Sequence, residues 1–414
     1  MPLLQRSEKS IRHGFNGLLC LVAFTIPFKA IFNSILIIAL LVVWLLAVPK
    51  SFSKIQYWLI ATISSVFILA VWGMFFTQNI DEGFFRLQQK ALVPVFALVI
   101  GTSSWYDKDS EKWALTAFLV GMLCASAYSF GIAFIHALSS GSYTHFFAHG
   151  LVEALDLYTY IFAILCLIAV FVLLESYLGN LALHPVFNRY STMIFLVILF
   201  SSLLFLLSVK QVLIAWGVLV MIYAWRLTKN HWYFLASIAM VAVVGSCLIF
   251  IIPSLYDKFN EVVASPAVSI PLDQDASLGK SWDGIALRKA IWTCAADVVS
   301  QNFWWGTGTG DAQDALQQAY EARQFYFASR FNHFNAHNQY IQTWIAFGLI
   351  GLIFCILSWV FIYRNRKGSP ALISFVICMT MCFFTESMLE TNKGNLIYGF
   401  FSSLFVFGNS QRRL

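Results

Sequence analysis

Charged residues are scarce. Asp, Glu, Lys and Arg together make up 11% of the 414 residues, where soluble domains carry about 25%. That shortage excludes the two or three soluble domains that the length alone would suggest. Strict alternation of polar and apolar residues is also missing, which excludes the strands of an outer-membrane barrel. The eight cysteines form neither a disulfide framework nor a CxxC metal site. Seven of them fall within apolar runs, and Cys294 stands alone in the longest polar region. No period of 20–50 residues appears, and the two halves are not clear duplicates. The repeated halves expected of a secondary transporter are therefore absent.

What is present is apolar. Hydrophobic residues reach 59%, with 40 Phe and 14 Trp, and the mean hydropathy is +0.74. Long apolar runs in lipid must close their backbone hydrogen bonds internally, so they are expected to span as helices. Twelve such runs lie near 14–28, 31–48, 57–76, 91–104, 113–137, 157–178, 191–208, 211–225, 233–252, 338–363, 371–385 and 394–409. The fourth, opened by Pro94, is the weakest. The expected fold is an all-α polytopic membrane protein of about twelve transmembrane helices.

Basic residues flanking the runs set the orientation. Lys50, Lys54, Lys108, Lys112, Arg226 and Lys229 fall on the same side as Arg6, Lys9 and Arg12. The short connections on the other side hold only Lys29, Arg86, Lys90, Lys210 and Lys393. Both termini are thus expected in the cytoplasm, with an uncleaved first helix. The net charge of +6 is spent on this asymmetry, and no nucleic-acid partner is expected. The chain divides into helices 1–9 over 1–252, an outer loop over 253–336, and helices 10–12 over 337–414.

The outer loop is expected to form a small water-facing cap. It holds nearly half of the 20 acidic residues. Asp283 is placed to cap an amphipathic helix reaching about Ser300. On it Ile285, Arg288, Ile291, Trp292 and Ala295 share one stripe. Arg288 on that apolar side suits phosphate oxygens through its planar fork, or it pairs with headgroups or a loop carboxylate.

His337 lies where the cap meets the tenth run. The partial positive charge of a helix N-terminus favours a neutral ring, which a general base requires. The plainer reading is a capping or interfacial histidine. His333 is four residues away, but no HExxH glutamate or third ligand accompanies the pair, so no metal site is expected. Lys210, between two runs with almost no polar connection, is either a site residue or an interfacial anchor. Arg86 and Lys90 share a helix face and hold either a second phosphate or lipid headgroups. Glu386 and Glu390, also i, i+4, orient a substrate hydroxyl or a basic residue, unless they are solvated loop acids. Gly306-Thr307-Gly308-Thr309-Gly310-Asp311 lacks the GK[ST] of a P-loop and reads as a tight turn after Trp304-Trp305. No nucleotide cofactor is expected.

One base and several cations beside lipid suit transfer from a lipid-linked pyrophosphate. The residues also resemble a family. Arg288 and Trp292, then Asn302-Phe303-Trp304-Trp305-Gly306-Thr307-Gly308, then His337-Asn338-Gln339-Tyr340 with Gly348-Leu349-Ile350-Gly351 resemble the O-antigen ligase and polymerase superfamily. The likeness is close over roughly 283–355. It implies a metal-independent, inverting membrane glycosyltransferase of GT-C type in the bacterial inner membrane. The donor would be a glycan on undecaprenyl pyrophosphate, used on the periplasmic side. The acceptor would be lipid A–core for a ligase, a lipid-linked repeat for a polymerase, or a protein side chain for an oligosaccharyltransferase.

By the same resemblance His337 activates the acceptor and Arg288 holds pyrophosphate, with Lys210 and Arg86 assisting. Lys90, Asn338 and Trp292 would support them. Many members carry a second arginine after a serine, and Ser208-Val209-Lys210 occupies that place with Lys for Arg. That exchange keeps the charge and loses the bidentate fork. Ligase is the favoured reading, because the outer-face cations Arg86, Lys90 and Lys210 suit a large phosphorylated lipid acceptor.

Overall fold

A computed structural model describes residues 2–251, Tyr256, and residues 284–365 and 369–408. The expected Asp283 cap, most of the first part of the outer loop and the C-terminal basic residues lie outside the described residues. Helices account for the regular structure, and the only strand-like feature described is an isolated bridge between Lys50 and Ser103.

Leaving single turns aside, the helices are α1 (Pro2–Thr25), α2 (Ala30–Ala47), α3 (Lys54–Ile63), α4 (Ser65–Gly73), α5 (Ile80–Lys90), α6 (Leu92–Thr102), α7 (Lys108–Ser140) and α8 (Thr159–Tyr177). They continue as α9 (Tyr190–Leu207), α10 (Lys210–Thr228), α11 (His231–Ile251), α12 (Gly284–Gln301), α13 (Ala312–Ala322), α14 (Gln339–Asn365), α15 (Pro370–Phe383) and α16 (Asn392–Phe407). Seven spans are long and apolar enough to cross a bilayer, or eight if the pair α3–α4, bent by 62°, counts as one. The expected twelve is not reached by that measure among the described residues. Two of the runs show why. Helix α15 has 14 residues and α16 has 16, short of the roughly 20 that an upright span requires. Helix α16 is also buried along nearly its whole length, so protein rather than lipid surrounds it.

Local signals set the helix starts. Ser53 and Gln56 close a capping box on α3, and Asp107 and Ser110 close one on α7. The weak fourth run becomes α6, which follows α5 after one residue. Pro94 falls in its first turn, where a missing N–H costs little.

A buried carboxylate ties three helices together away from the outer loop. Glu175 on α8 is fully buried. It accepts from Tyr223 at 2.6 Å, from Arg226 on α10 through Nη1 and Nη2, and from Asn180. Ser374 of α15 adds a hydroxyl to Tyr223 at 2.9 Å. A charge in this setting persists only when its oxygens are paired.

The outer loop does not stand apart from the helix bundle. Its helices α12 and α13 bury Ala290, Ile291, Cys294, Ala295, Leu316 and Tyr320 in one cluster with Leu69, Ala70, Ile345 and Phe347 of α4 and α14. The predicted stripe on α12 is thus the packing face. Burial pushes the Cys294 thiol up to about 11, so this cysteine is a core residue rather than a nucleophile. Arg323 pairs with Asp297 across α12 and α13, donating to its Oδ1 at 2.8 Å. These bonds outweigh modest burial and hold the Asp297 carboxyl below its usual range.

Helix α14 is broken at Gly348, whose φ of +66° and ψ of −174° leave the helical region. The glycine-rich turn repairs the break. Thr307 N–H donates to Ile345 O at 2.9 Å, Gly308 N–H to Ala346 O at 3.0 Å, and Leu349 N–H to Phe303 O at 2.8 Å. Backbone groups released at membrane depth need such partners. The approach is so close that a Cβ on Gly348 would lie 2.1 Å from Trp304 O, and one on Gly306 2.5 Å from Ala346 O. Asp311 then fastens the turn to the start of α5 by accepting from Gln78 and Asn79 N–H at 2.7 Å each.

Candidate active site

His337 immediately precedes the residue that caps α14. Asn338 Oδ1 accepts from Tyr340 N–H at 2.9 Å and Ile341 N–H at 3.1 Å, satisfying two orphan donors of the first turn. The same side chain donates to Phe384 O at 3.0 Å, and its backbone N–H donates to Ser387 Oγ at 3.2 Å. Gln339 Oε1 accepts from Leu389 N–H at 2.7 Å. Three hydrogen bonds from two adjacent residues therefore lock the helix mouth onto the 384–389 segment. From the other side, Trp292 Nε1 donates to Ala336 O at 2.9 Å.

Held this way, His337 adopts φ +43°, a left-handed conformation that few non-glycine residues take. Such strain persists only where the surroundings over-determine it, and it is concentrated at functional sites. Its backbone N–H donates to Asn335 Oδ1 at 2.9 Å, and its ring sits 5.5 Å from that of Phe334.

The segment thus clamped delivers Glu386 between His337 and Arg288. Glu386 Oε2 lies 3.4 Å from His337 Nδ1, and Glu386 Oε1 accepts from Arg288 Nη2 at 3.0 Å. Arg288 also donates to Thr385 O from Nε and Nη2, both at 3.3 Å, and to Gly284 O from Nη1 at 3.0 Å. All three side chains are mostly buried, with 27%, 14% and 28% of His337, Glu386 and Arg288 exposed. With the ring proton on Nδ1 facing Glu386, Nε2 keeps its lone pair, the arrangement a general base needs.

These residues line an open pocket of about 730 Å³, which Lys210 also enters from the first turn of α10. The sharp connection before Lys210 rests on Ser208, whose φ is +54°. The pocket therefore unites Lys210, Arg288 and His337 from three well-separated stretches of sequence. Its rim adds residues not singled out from the sequence, including His149, Tyr158, Tyr160 and Asn335. Tyr158 and Tyr160 stack with ring centroids 5.7 Å apart. No local pattern distinguishes them from the aromatic residues of any membrane interface.

Arg86 and Lys90 are not brought to this pocket. Lys90 is buried, its side chain 3% exposed, and pairs with Glu390 Oε2 at 2.8 Å. Arg86 donates to Glu82 at 2.6 Å and to the backbone carbonyl of Glu390 at 3.3 Å. Burial alone would raise the Glu390 carboxyl. Lys90 and Arg86, with hydrogen bonds from Lys90 and Gln339, outweigh it and hold Glu390 below its ordinary range. The two acids expected to act alike therefore differ: Glu386 faces the pocket, and Glu390 neutralises an internal cluster. Lys90 has no exposed surface with which to meet headgroups.

Residues 194–356 match the family model described as O-antigen ligase. The matched stretch contains Lys210, Arg288 and His337, the repaired break at Gly348 and the turn that repairs it. A comparison with curated proteins finds no match. Together with its apolar helices, the match makes the chain a multi-pass membrane protein with a glycosyltransferase-like domain of the ligase or polymerase kind. The match over residues 194–356 supports the O-antigen ligase superfamily.

Proposed function

We propose that the protein is an O-antigen ligase, moving a glycan from undecaprenyl pyrophosphate to a hydroxyl of lipid A–core on the periplasmic side of the inner membrane. The observation that carries this reading is the convergence of Lys210, Arg288 and His337 on one pocket, with Glu386 joining the last two. His337 Nε2 takes the proton of the acceptor hydroxyl as its oxygen bonds to the anomeric carbon of the donor sugar. The opposite C–O bond breaks, and its electron pair leaves with the pyrophosphate, giving inversion. Arg288 and Lys210 neutralise the departing charge, and no metal is invoked. Among the described residues Arg288 Nη1 is bonded only to Gly284 O, and it is the nitrogen best placed to turn to the incoming phosphate.

A deletion strain tests the choice of acceptor. Loss of a ligase leaves long polymer stranded on undecaprenyl pyrophosphate and bare core on the surface. Core carrying a single repeat unit would instead assign the protein as a polymerase.

Glu386 is a positioning residue in this scheme. Glu386→Gln keeps the shape of the side chain but no longer selects the tautomer with its proton on Nδ1. We expect turnover to fall at least about ten-fold, less than the roughly 10²–10⁴-fold typical of losing a base. Glu386→Asp, which keeps the carboxylate, should recover part of the rate. Equal activity in Glu386→Gln and the parent protein, measured with reconstituted donor and acceptor, would remove Glu386 from the mechanism.

A further inference from the structure

A second cavity, of about 260 Å³, opens beside α2, α5–α6 and α16 and shares no residue with the pocket around His337. Its polar lining is unusual for a surface between apolar helices. Four carboxamides, those of Asn33, Gln88, Gln89 and Asn392, meet there with Ser34 and Lys393, and no carboxylate lines it. Lys393 is 8% exposed. Its ammonium donates to Ile26 O at 2.9 Å, to Phe28 O and to Asn33 Oδ1. All three partners are neutral, and Lys393 makes no ion pair among the described residues. An ammonium held this way has no counter-charge among the described residues, so an anion in the cavity would stabilise its charged form.

Three further observations point to a ligand. Gln89 is more than nine-tenths buried, yet its Oε1 has no hydrogen-bond partner. Leaving such a group unpaired is costly, and a hydroxyl or amine brought by a ligand would satisfy it. The first turn of α2 borders the cavity and has no side chain capping its N–H groups, so its donors can face phosphate oxygens. The lips of the cavity are apolar. Ile38 and Phe85 line it and are 62% and 49% exposed. Ile31 and Ile35 continue the same exposed flank of α2, which in a bilayer meets acyl chains.

We propose that this cavity holds the phosphodiester head of one membrane phospholipid, with its chains lying along α2. The amides and the N-terminus of α2 receive the phosphate oxygens, Lys393 supplies the charge, and a hydroxyl or amine of the headgroup reaches Gln89. The site is independent of the catalytic reading, and its test does not use activity.

Native mass spectrometry of the full-length protein, released from nanodiscs of phosphatidylglycerol and phosphatidylethanolamine, reads it directly. We expect the parent protein to keep one phospholipid through detergent washing. Ser34→Phe fills the cavity from an exposed position, and Gln88→Leu removes one exposed amide. Both should elute as the parent does on gel filtration. Retained lipid should fall at least ten-fold in Ser34→Phe and by a smaller factor in Gln88→Leu. Equal retention in the parent protein and both variants would overturn the proposal. Displacement of the lipid by equimolar glycerol phosphate would overturn it too, because the site would then hold a free anion rather than a lipid.

Discussion

His337→Ala is expected to abolish glycan transfer while leaving the protein folded and inserted. Removing a general base costs about 10²–10⁴-fold in rate, and the structure gives little reason for a folding defect. The imidazole is partly exposed, and its described contacts are a 3.4 Å approach to Glu386 and the ring of Phe334. The helix mouth is held by Asn338 and Gln339 instead. Because the residue sits at φ +43°, His337→Asn is the better-matched control. Asn tolerates the left-handed region, so the backbone keeps its course while the base is lost. Both variants should show the same deficit with reconstituted lipid-linked donor and lipid A–core acceptor, and the same gel-filtration profile as the parent. Near-normal turnover in either would end the assignment of His337 as the base.

The second large effect is expected far from any reacting atom. Gly348→Ala forces a side chain into a backbone conformation that only glycine adopts readily, at a cost of about 1–3 kcal/mol. The new Cβ would also overlap Trp304 O, at 2.1 Å. Relief requires the 303–308 turn to withdraw, which breaks the bonds from Thr307, Gly308 and Leu349 that repair α14. Those broken bonds would leave polar backbone unpaired among apolar side chains. We expect a clear drop in folded yield and a lower midpoint of thermal unfolding in detergent. Gly131→Ala, on α7, is the control, since a Cβ there meets nothing within 4 Å, and it should be near neutral. Unchanged thermal stability in Gly348→Ala would mean that the break is not what the turn supports.

The history of individual residues shows which features are legible in a linear chain. The helices are, because apolar runs in lipid have few alternatives, and each capping signal such as Ser53-Lys54-Ile55-Gln56 acts over one turn. Arg288 and His337 could be singled out for the same reason: a charge on an apolar stripe and a histidine at a helix mouth are local anomalies. Glu386 and Glu390 could not be told apart. Both lie on one short segment, and only the partners that fold against them, Arg288 and His337 for one and Lys90 and Arg86 for the other, make them different. The same holds for Arg86, a plausible phosphate ligand by type that is engaged by Glu82 and the 390 carbonyl. The count of twelve spans is not confirmed among the described residues for a related cause, since hydropathy does not register how far protein sheathes a short helix such as α16.

Composition and hydrophobic patterning by themselves determined that this is an all-helical membrane protein whose polar chemistry gathers near one long loop. Those properties follow from solvation and from contacts within a turn or two of helix. Tertiary structure alone decided which charges meet. The separations of 49 positions from His337 to Glu386, and of 127 from Lys210 to His337, are closed by packing of α10, α12, α14 and the segment before α16, not by local preference. Coulomb and hydrogen-bond energies depend on distances of a few ångströms, and no pattern along the chain encodes them. A helix mouth clamped by Asn338 and Gln339, and a helix break filled by a glycine turn 40 residues away, set those distances here.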